Sequence, residues 1–476
     1  MSAQASSPRA ARRPIRAPWT IPTRWIMALA LALALARLVG LGRYGLWIDE
    51  AFSLHDAFAL RLERLTNFPL ALAVLRAWLE FTGLPVDETL LRLPAALFGA
   101  ASVPLTAWAF RPLLGARQSW IAAALLGASS WHWFWSQSAR GYTLMLLLAL
   151  LGAGVCIRAL VQARPIWFVA GLLVAGAAAL AHPTGGLVPA ALLFAAPLVR
   201  RRCGAPEWAP SVWIALALAA VGAWGLNDWF HEVWGDYSWR KSGSSVAHFV
   251  LSSGFYIGAP VGLAALVGAW GGLRSRDGAR TLVLGVALLG VLAPLAAASV
   301  VKVSAQYVFV LAPWIAALAA PALDDEREPR WRARALGACA LLWAAVDVGA
   351  YLTVRHGDRP RWRDAYQHVA RARGAEDIVF GMAAPTGSYY LDPSQWRVRE
   401  YAALVPLTHY DVDELSYWST RERPMWLVLN REDLEDWPRP ERERLESFLR
   451  EQCELRRVFS VRGTPRNLDV EVHLRP

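Results

Sequence analysis

The sequence predicts a polytopic α-helical membrane protein with about eleven transmembrane helices and a soluble α/β domain at its C-terminal end. Three observations predict this fold class. Of the 476 residues, 55% are hydrophobic and only 18% are charged. Apolar runs close to the ~20 residues that a helix needs to cross a bilayer recur over residues 25–354. From Arg355 onward the composition becomes rich in Arg, Asp, Glu and Trp.

The apolar runs predict the spans, and the basic residues between them predict the orientation. The span centres lie near Leu33, Val103, Ala128, Ala149, Leu173, Leu192, Ala217, Ala264, Leu288, Ile315 and Trp343. Arginines concentrate in alternate loops, on the same side as the basic residues 1–24. The positive-inside rule makes that side cytoplasmic, so residues 43–90 form the first outer loop and the C-terminal domain is extracytoplasmic. The expected location is the inner (cytoplasmic) membrane.

Residues 355–476 predict the soluble domain. Amphipathic and alternating patterns indicate two helices and three strands. The helices cover residues 361–373 and 441–454, and the strands cover 377–380, 426–429 and 457–461. A module of roughly 120 residues is within the usual size of a domain.

The net charge of +11 does not predict a nucleic-acid partner. Basic cytoplasmic loops account for the charge, and no recognisable nucleic-acid-binding motif accompanies it. The four cysteines show no CxxC spacing, and only Cys453 falls on the outer side. Neither structural zinc nor an intrachain disulfide is therefore expected.

Two adjacent carboxylates, Asp49 and Glu50, stand where the first apolar run meets water. A carboxylate at such a position can reach a lipid headgroup and a water-borne molecule, and it can act as a general base. The pair could instead only begin an interfacial helix, because carboxylates favour the N-terminal turn. The residues by themselves leave both interpretations open.

Nucleotide-binding motifs do not account for a group-transfer chemistry. The segment Gly40-Leu41-Gly42-Arg43-Tyr44-Gly45 matches GxGxxG, but it ends a membrane span rather than linking a strand to a helix. No GxxxxGK[ST] loop is present in the sequence. A donor for transfer on the outer side must then already be in the membrane, and a lipid-linked phosphate is the obvious chemical type.

Five motifs occur in one order along the membrane part of the chain. They are Trp47-Ile48-Asp49-Glu50-Ala51, Asn67-Phe68-Pro69-Leu70 followed by Leu90-Leu91-Arg92-Leu93-Pro94, Ser136-Gln137-Ser138-Ala139-Arg140-Gly141-Tyr142, Ala181-His182-Pro183-Thr184, and Gln306-Tyr307 with Pro313. Together they resemble the lipid-phosphate-dependent glycosyltransferases of GT-C fold, family 39 type, akin to protein O-mannosyltransferases and aminoarabinose transferases. The resemblance implies sugar transfer from a polyprenyl-phosphate donor to a lipid, protein or polysaccharide acceptor.

Three positions depart from the family pattern. Ser138 replaces the usual Glu, Asn67-Phe68-Pro69 replaces His-Pro-Pro, and Gln306 replaces an Arg. These departures leave the contacts to the donor phosphate and any metal site open. No cofactor is expected with certainty, although the acidic pair could share a divalent metal.

The resemblance implies roles for individual residues. Asp49 is the expected catalytic base of an inverting displacement, and Glu50 could orient the acceptor, assist Asp49 or share a cation with it. Arg140 is the first candidate for binding the donor phosphate, because a guanidinium can hold two oxygens at once. Lys302 and the pair Arg240 and Lys241 are further candidates. The expected cavity-lining residues are Tyr142, His182, Gln306 and Tyr307.

Other interpretations compete with these roles. Arg140 can extend from a helix end to the interface, His182 can cap a turn before Pro183, and Arg240 and Lys241 can anchor a Trp-rich loop at the interface. At the level of the whole protein, a transporter or flippase of lipid-linked sugar would also show many spans and a basic cytoplasmic side. A membrane scaffold that presents the α/β domain to a partner would not need Asp49 or Glu50.

Overall fold

The structure is a computed structural model that describes residues 21–59, 68–203, 245–324, 330–392, 404–419 and 423–476. Up to Leu352 the described chain is almost entirely helical. Its helices are α1 (Thr23–Ala36), α2 (Ile48–Ala59), α3 (Pro69–Thr82), α4 (Glu88–Ala128), α5 (Ser130–Ser136), α6 (Tyr142–Val161), α7 (Pro165–Gly176), α8 (Ala178–Ala181), α9 (Leu187–Cys203), α10 (Val246–Ile257), α11 (Ala259–Ser275), α12 (Gly278–Ala297), α13 (Ala312–Ala319) and α14 (Arg330–Leu352).

The chain is a multi-pass membrane protein, as predicted, but a count of eleven spans is not confirmed. Within the described ranges, α4, α6, α12, α14 and the helical stretch Ala305–Leu323 that contains α13 are long and apolar enough to cross a membrane. A sixth span results if the bent pair α10 and α11 counts as one. Ten of the predicted centres fall in helices, but α1 and α7 have only 14 and 12 residues. The eleventh predicted centre, Ala217, lies outside the described residues.

Helix α4 doubles back on itself at Gly115. Its 41 residues would extend about 60 Å as one straight helix, twice the ~30 Å hydrocarbon core of a bilayer. Gly115 breaks it with a left-handed φ of 79°, which glycine adopts without a Cβ penalty. Both ends of α4 then lie near the C-terminal end of α1. Arg92 binds the carbonyl of Leu41, and the carbonyl of Gly127 accepts a hydrogen bond from Arg37.

A second glycine separates α10 from α11, which meet at an angle of 93°. Gly258 has φ 80° and ψ 135° at this break. A Cβ added there would lie 2.2 Å from Nε1 of Trp343 in α14. The sharp bend and the close approach of α14 both depend on the absence of a side chain.

The C-terminal region is an α/β domain with one five-stranded sheet. Its strands are β1 (Ile378–Gly381), β2 (Val405–Pro406), β3 (Met425–Asn430), β4 (Glu454–Phe459) and β5 (Val470–Arg475). Its helices are α15 (Trp362–Ala372), α16 (Ala384–Leu391), α17 (Val412–Ser419), α18 (Arg431–Glu435) and α19 (Arg439–Gln452). The five elements predicted for this domain correspond to α15, α19, β1, β3 and β4.

The sheet has the order β2-β1-β3-β5-β4. Strands β2, β1 and β3 are parallel, whereas β5 pairs antiparallel with both β3 and β4. All six residues of the central strand β3 are buried, and five of the six residues of the edge strand β4 are exposed. The continuous apolar run of β3 is typical of a strand that is covered on both faces.

Hydrogen bonds to residues 42–46 and to Glu88 of α4 hold the C-terminal domain against the membrane helices. The Tyr390 hydroxyl donates to Glu88 (2.8 Å) and accepts from the backbone N–H of Leu46 (2.6 Å). Arg363 donates to the carbonyl of Gly42 (3.0 Å). The segment that leads into α2 is therefore fixed by both domains.

Replacing Gly258 by alanine should lower the melting temperature of the purified protein. The added Cβ would meet Trp343 at 2.2 Å, and the backbone conformation is one that L-residues rarely adopt. Such strain costs about 1–3 kcal/mol. The matched control is Gly254→Ala in α10, where an added Cβ would meet nothing within 4 Å. Thermal unfolding in one detergent compares the two variants, and equal melting temperatures would contradict a strained break.

Candidate active site

The two adjacent carboxylates at the start of α2 have opposite environments. Glu50 is fully buried, with 0% of its side chain exposed. Asp49 leaves 37% of its side chain exposed. Successive residues of a helix point about 100° apart, so Glu50 faces the protein while Asp49 faces the exposed crevice beside Ser53 and Arg140.

Glu50 forms a bidentate ion pair with Arg92 of α4. Nε and Nη2 of Arg92 donate to the two carboxylate oxygens of Glu50, each at 2.7 Å. The backbone N–H groups of Ala139 (2.9 Å) and Trp47 (3.3 Å) also donate to Glu50. The Trp47 bond is the backward half of a capping box, because Glu50 occupies the third position of the first turn.

Arg92 uses its five N–H donors on five acceptors. Besides the two oxygens of Glu50, it donates to the carbonyls of Leu41 (2.7 Å), Tyr44 (2.7 Å) and Gly45 (2.8 Å). A buried guanidinium is tolerated when all of its donors are bonded. Arg92 therefore fixes the irregular segment between α1 and α2 as well as Glu50.

Arg359, which follows the last membrane helix, reaches the same cluster from the C-terminal domain side. Its Nε lies 3.8 Å from Oε2 of Glu50. Its Nη2 donates to the carbonyl of Gln137 and to Oγ of Ser138, both at 2.7 Å. Ser138 stands where the family pattern has Glu, so in this chain the position binds an arginine through a hydroxyl.

The charges around Glu50 determine its ionisation. Burial by itself would raise the pKa of Glu50, but the Arg92 guanidinium, Arg359 and the Ala139 N–H outweigh burial. The pKa of Glu50 is therefore below its ordinary value of 4.5. Glu50 is a permanently charged, fully bonded carboxylate at neutral pH.

Asp49 and Arg140 stand next to each other at the surface of this buried cluster. Nη2 of Arg140 lies 3.9 Å from Oδ2 of Asp49. Nη1 donates to Oγ of Ser53 (3.0 Å) and to the backbone carbonyl of Asp49 (3.3 Å). The Arg140 side chain is 13% exposed. It keeps a charged face toward the crevice while its stem is packed.

Aromatic side chains form the wall beside Arg140. The guanidinium of Arg140 lies 4.7 Å from the ring centre of Phe68, and that ring stacks on His182 at 5.2 Å. His182 lies 4.2 Å from the ring of Tyr142 and 6.2 Å from the ring of Tyr307. Three of the four residues predicted to line the cavity are thus brought together. They come from three separate sequence motifs, at positions 142, 182 and 307.

An apolar slot opens directly beside Arg140. Its cavity volume is about 40 Å³, within a wider opening of about 460 Å³ that includes open solvent. Helices α3, α4 and α6 contribute Ala71, Pro94 and Leu144 to its lining, and Ser53 and Arg140 are its polar members. The combination of an apolar slot with a cation at its mouth suits an amphiphile with an anionic head.

The remaining predicted residues are placed less favourably or lie outside the described ranges. Lys302 is exposed and forms an ion pair with Asp436 of the C-terminal domain. Gln306 is half-buried, directly before Tyr307. Arg240 and Lys241 lie outside the described residues.

The acidic pair does not have the donor set of a shared metal. Both oxygens of Glu50 already bind Arg92, so only Asp49 keeps free lone pairs toward the crevice. Among the described residues there is no group of three or more His, Cys, Asp or Glu side chains that could hold a metal ion. The geometry at the start of α2 suits a guanidinium partner for Glu50 rather than a divalent cation.

Sequence reasoning missed the roles of two arginines. Arg92 lies near the start of an apolar span, where a charged residue signals a buried partner. That signal was available in the sequence. Arg359 lies in a short segment after the last span and carries no local pattern, because its partners precede it by more than 200 residues.

The chain matches known protein structures but no family model and no curated protein sequence. No protein-family model matches the chain, and no curated protein matches it in sequence. ArnT from Cupriavidus metallidurans in the apo state matches in structure with a TM-score of 0.57 and 18% identity, over 95% of this chain and 98% of that chain. ArnT from the same organism bound to undecaprenyl phosphate matches with a TM-score of 0.55 and 18% identity, over 96% of this chain and 99% of that chain.

The archaeal oligosaccharyltransferase AglB from Archaeoglobus fulgidus also matches. Its complex with an inhibitory peptide and a dolichol-phosphate has a TM-score of 0.52 and 10% identity, over 85% of this chain and 69% of that chain. ArnT and AglB are both GT-C glycosyltransferases. The chain has the GT-C fold. The fold predicted from the five motifs is therefore confirmed, although sequence identity to these structures is low.

Replacing Glu50 by glutamine should destabilise the protein by about 3–5 kcal/mol at neutral pH, because it leaves Arg92 buried without its counterion. The sign of the pH dependence follows from the lowered pKa of Glu50. The Glu50 carboxylate contributes its full stability above pH 4.5, and this contribution is lost as the pH falls through the folded-state pKa. The difference in melting temperature between wild type and variant should therefore shrink on acidification below pH 4.5.

The control for this prediction is Glu80→Gln, which makes the same chemical change in an exposed ion pair with Arg76. An exposed pair contributes only about 0–1 kcal/mol, so this variant should unfold like wild type. A Glu50→Gln protein as stable as Glu80→Gln would show that the buried cluster is not needed for folding.

Proposed function

We propose that the protein is a membrane glycosyltransferase that moves a sugar from a polyprenyl-phosphate donor to an extracytoplasmic acceptor by an inverting displacement. The observation that carries the proposal is the crevice at the start of α2. There an exposed carboxylate, Asp49, lies beside the partly buried cation of Arg140 at the mouth of an apolar slot. The GT-C fold supports this chemistry as the first hypothesis to test.

Asp49 is the proposed general base. In the displacement, the acceptor oxygen bonds to the anomeric carbon while the bond from that carbon to the phosphate oxygen breaks. The acceptor proton goes to Asp49, and the phosphate leaves with the bonding electron pair. Asp49 is the carboxylate of the pair that is exposed toward the crevice, whereas Glu50 has no free lone pair for a proton.

Arg140 is the proposed partner of the donor phosphate. Charge builds up on the phosphate as the sugar leaves, and a guanidinium held in place stabilises that charge. Ser53 and the carbonyl of Asp49 hold one end of the Arg140 guanidinium, and the ring of Phe68 supports its face. The other terminal nitrogen, Nη2, lies 3.9 Å from the Asp49 carboxylate.

The slot beside Arg140 is the proposed place for the first part of the polyprenyl chain. Ala71, Pro94 and Leu144 give it an apolar lining within reach of the cation. A donor bound in this way would have its phosphate at the Arg140 end and its sugar toward Asp49. ArnT has been solved bound to undecaprenyl phosphate, so an isoprenoid phosphate is compatible with the same fold.

Glu50, Arg92 and Arg359 are proposed as positioning residues. Glu50 accepts from the backbone N–H of Ala139, the residue before Arg140. Arg359 binds Gln137 and Ser138 in the same turn. The buried cluster therefore fixes the backbone on both sides of the two reacting groups, since Asp49 precedes Glu50 and Arg140 follows Ala139.

The acceptor side is proposed to face out of the cell. The basic loops favour a cytoplasmic N-terminus in an inner membrane and an extracytoplasmic C-terminal domain. The Tyr390 contacts then hold that domain above the entrance to α2. A lipid, a protein or a polysaccharide could approach there, and the aromatic wall of Tyr142 and Tyr307 could contact its sugar.

A transporter of lipid-linked sugar is the second candidate. The 93° break between α10 and α11 favours it, because broken helices are common in transporters. A transporter would move the intact lipid-linked sugar across a bilayer and would not need a base at Asp49.

Replacing Asp49 by asparagine should reduce sugar transfer by roughly 10²–10⁴-fold without unfolding the protein, because a general base contributes a factor of that size. The measurement is transfer of labelled sugar from a panel of polyprenyl-phosphate sugars to cell-envelope acceptors, with wild type and variant in one detergent. The matched control is Asp56→Asn, an exposed aspartate on the same helix. Transfer that survives Asp49→Asn would refute Asp49 as the base. Donor-driven flipping in vesicles without transfer would favour the transporter.

Replacing Arg140 by glutamine should weaken binding of the donor phosphate and raise KM more than tenfold, because an ionic hydrogen bond to phosphate is lost. Thermal stabilisation by undecaprenyl phosphate measures binding without turnover and should decrease in parallel. Arg76→Gln is the control, since Arg76 is an exposed arginine on the neighbouring α3. An unchanged affinity in Arg140→Gln would place the phosphate elsewhere.

A further inference from the structure

A large apolar groove runs between α14 and helices α1, α4 and α13. Its cavity volume is about 760 Å³, within about 2280 Å³ of space that includes the open surroundings, and it shares no lining residue with the slot beside Arg140. Trp25, Leu29 and Leu33 form its α1 wall. Their spacing of four residues places them on one face of that helix.

Part of the α14 wall is a stripe of small residues. Ala333, Gly337, Ala340 and Ala344 recur at intervals of three and four, so they share one face of the helix. A Cβ added to Gly337 would meet nothing within 4 Å. This face therefore lies beside α1 and α4 without filling the space between them. Only Ala333, Ala340 and Tyr351 of α14 are buried.

Empty apolar space of this size is costly, because packed interiors leave few voids larger than a water molecule. In a bilayer the groove is open to lipid, and an acyl chain can fill it. The question is then which lipid matches the groove at its two ends.

Arginines mark one end of the groove. Arg334 lines it and is exposed, and Arg117 lines it while paired with Asp324. The exposed Trp25 and Trp331 lie at the same end, as is typical of residues at the level of lipid headgroups. This end lies at the start of α1 and of α14, far from Asp49, since α1 alone spans about 20 Å.

The other end of the groove carries a carboxylate. Asp347 lines it there and is paired with Arg355. Asp347 follows Arg334 by 13 residues, which corresponds to about 20 Å along the helix. The hydrocarbon region of one leaflet is ~15 Å deep, so the groove is slightly longer than the acyl region of one leaflet. A polyprenyl donor with its phosphate near Arg140 would have to enter from the Asp347 end, where no arginine among the described lining residues receives a phosphate.

We propose that this groove binds an anionic phospholipid, with its headgroup phosphate at Arg334 and one acyl chain along the Ala/Gly face of α14. Basic pockets between transmembrane helices are a known way of recognising anionic headgroups. The proposal does not depend on the reaction proposed at Asp49. The bound lipid fills the space that α14 leaves open and so holds this helix against α1 and α4.

The test uses the full-length protein, stripped of lipid in detergent and titrated with dioleoyl phosphatidylglycerol or dioleoyl phosphatidylcholine. Native mass spectrometry counts the lipids that remain bound, and the melting temperature reports their effect. Wild type should retain phosphatidylglycerol and gain thermal stability from it. Its preference over phosphatidylcholine should be about fivefold, which corresponds to the ~1 kcal/mol that one arginine near a membrane surface contributes.

Two variants and one matched control make the test specific. Gly337→Leu should fill the groove and abolish the retained lipid, whereas Arg334→Gln should keep an acyl chain but lose the preference for phosphatidylglycerol. Gly349→Leu lies on the same helix but outside the groove, and a Cβ there also meets nothing within 4 Å, so it should behave as wild type.

Three results would overturn the proposal. The first is equal retention of phosphatidylglycerol by wild type and Gly337→Leu. The second is equal binding of the two phospholipids by wild type. The third is retention of undecaprenyl phosphate that Gly337→Leu abolishes, because the groove would then hold the isoprenoid chain.

Discussion

The structure around the candidate site depends on one buried ion pair, Glu50 with Arg92. Two charges without exposure to water are costly unless every donor and acceptor is bonded. Here the pair also bonds to the segment between α1 and α2, to the backbone of Ala139 and, through Arg359, to the chain entering the C-terminal domain. Four separate parts of the chain must therefore assemble before the charges are compensated. This requirement makes the site geometry a consequence of the whole fold rather than of one loop.

The same pair explains how two adjacent carboxylates acquire different chemistry. Asp49 and Glu50 are neighbours in sequence, but the helical turn directs Asp49 toward the crevice and Glu50 toward the guanidinium groups of Arg92 and Arg359. Glu50 uses its charge to hold Ala139 and thereby the start of Arg140. Asp49 keeps an exposed carboxylate next to that arginine. Structural and chemical roles are thus separated by one residue, without any difference in side-chain type beyond a methylene.

Much of the architecture was predictable from local patterns. Apolar runs predicted the membrane part, and alternating or amphipathic patterns predicted α15, α19, β1, β3 and β4, because hydrophobic periodicity is a local property. The span count was not predictable. The structure doubles α4 back at Gly115 and bends the chain sharply at Gly258, and these reversals depend on close packing between distant helices, as at Trp343. Strand order was also invisible, since β5 inserts between β3 and β4 by pairing that no local pattern encodes.

The sequence by itself determined that this is a membrane protein with an acidic pair at the first exit from the bilayer, and its ordered motifs indicated the GT-C fold. It also selected Arg140, Tyr142, His182 and Tyr307, whose side chains the structure brings together around Phe68 and His182. Only the tertiary structure decided that Glu50 is buried and bonded to Arg92 while Asp49 remains partly exposed, and that Arg359 joins the cluster. The physical reason is that burial and charge compensation arise from contacts between residues far apart in the chain. A sequence shows which charges exist, whereas their partners are decided by folding.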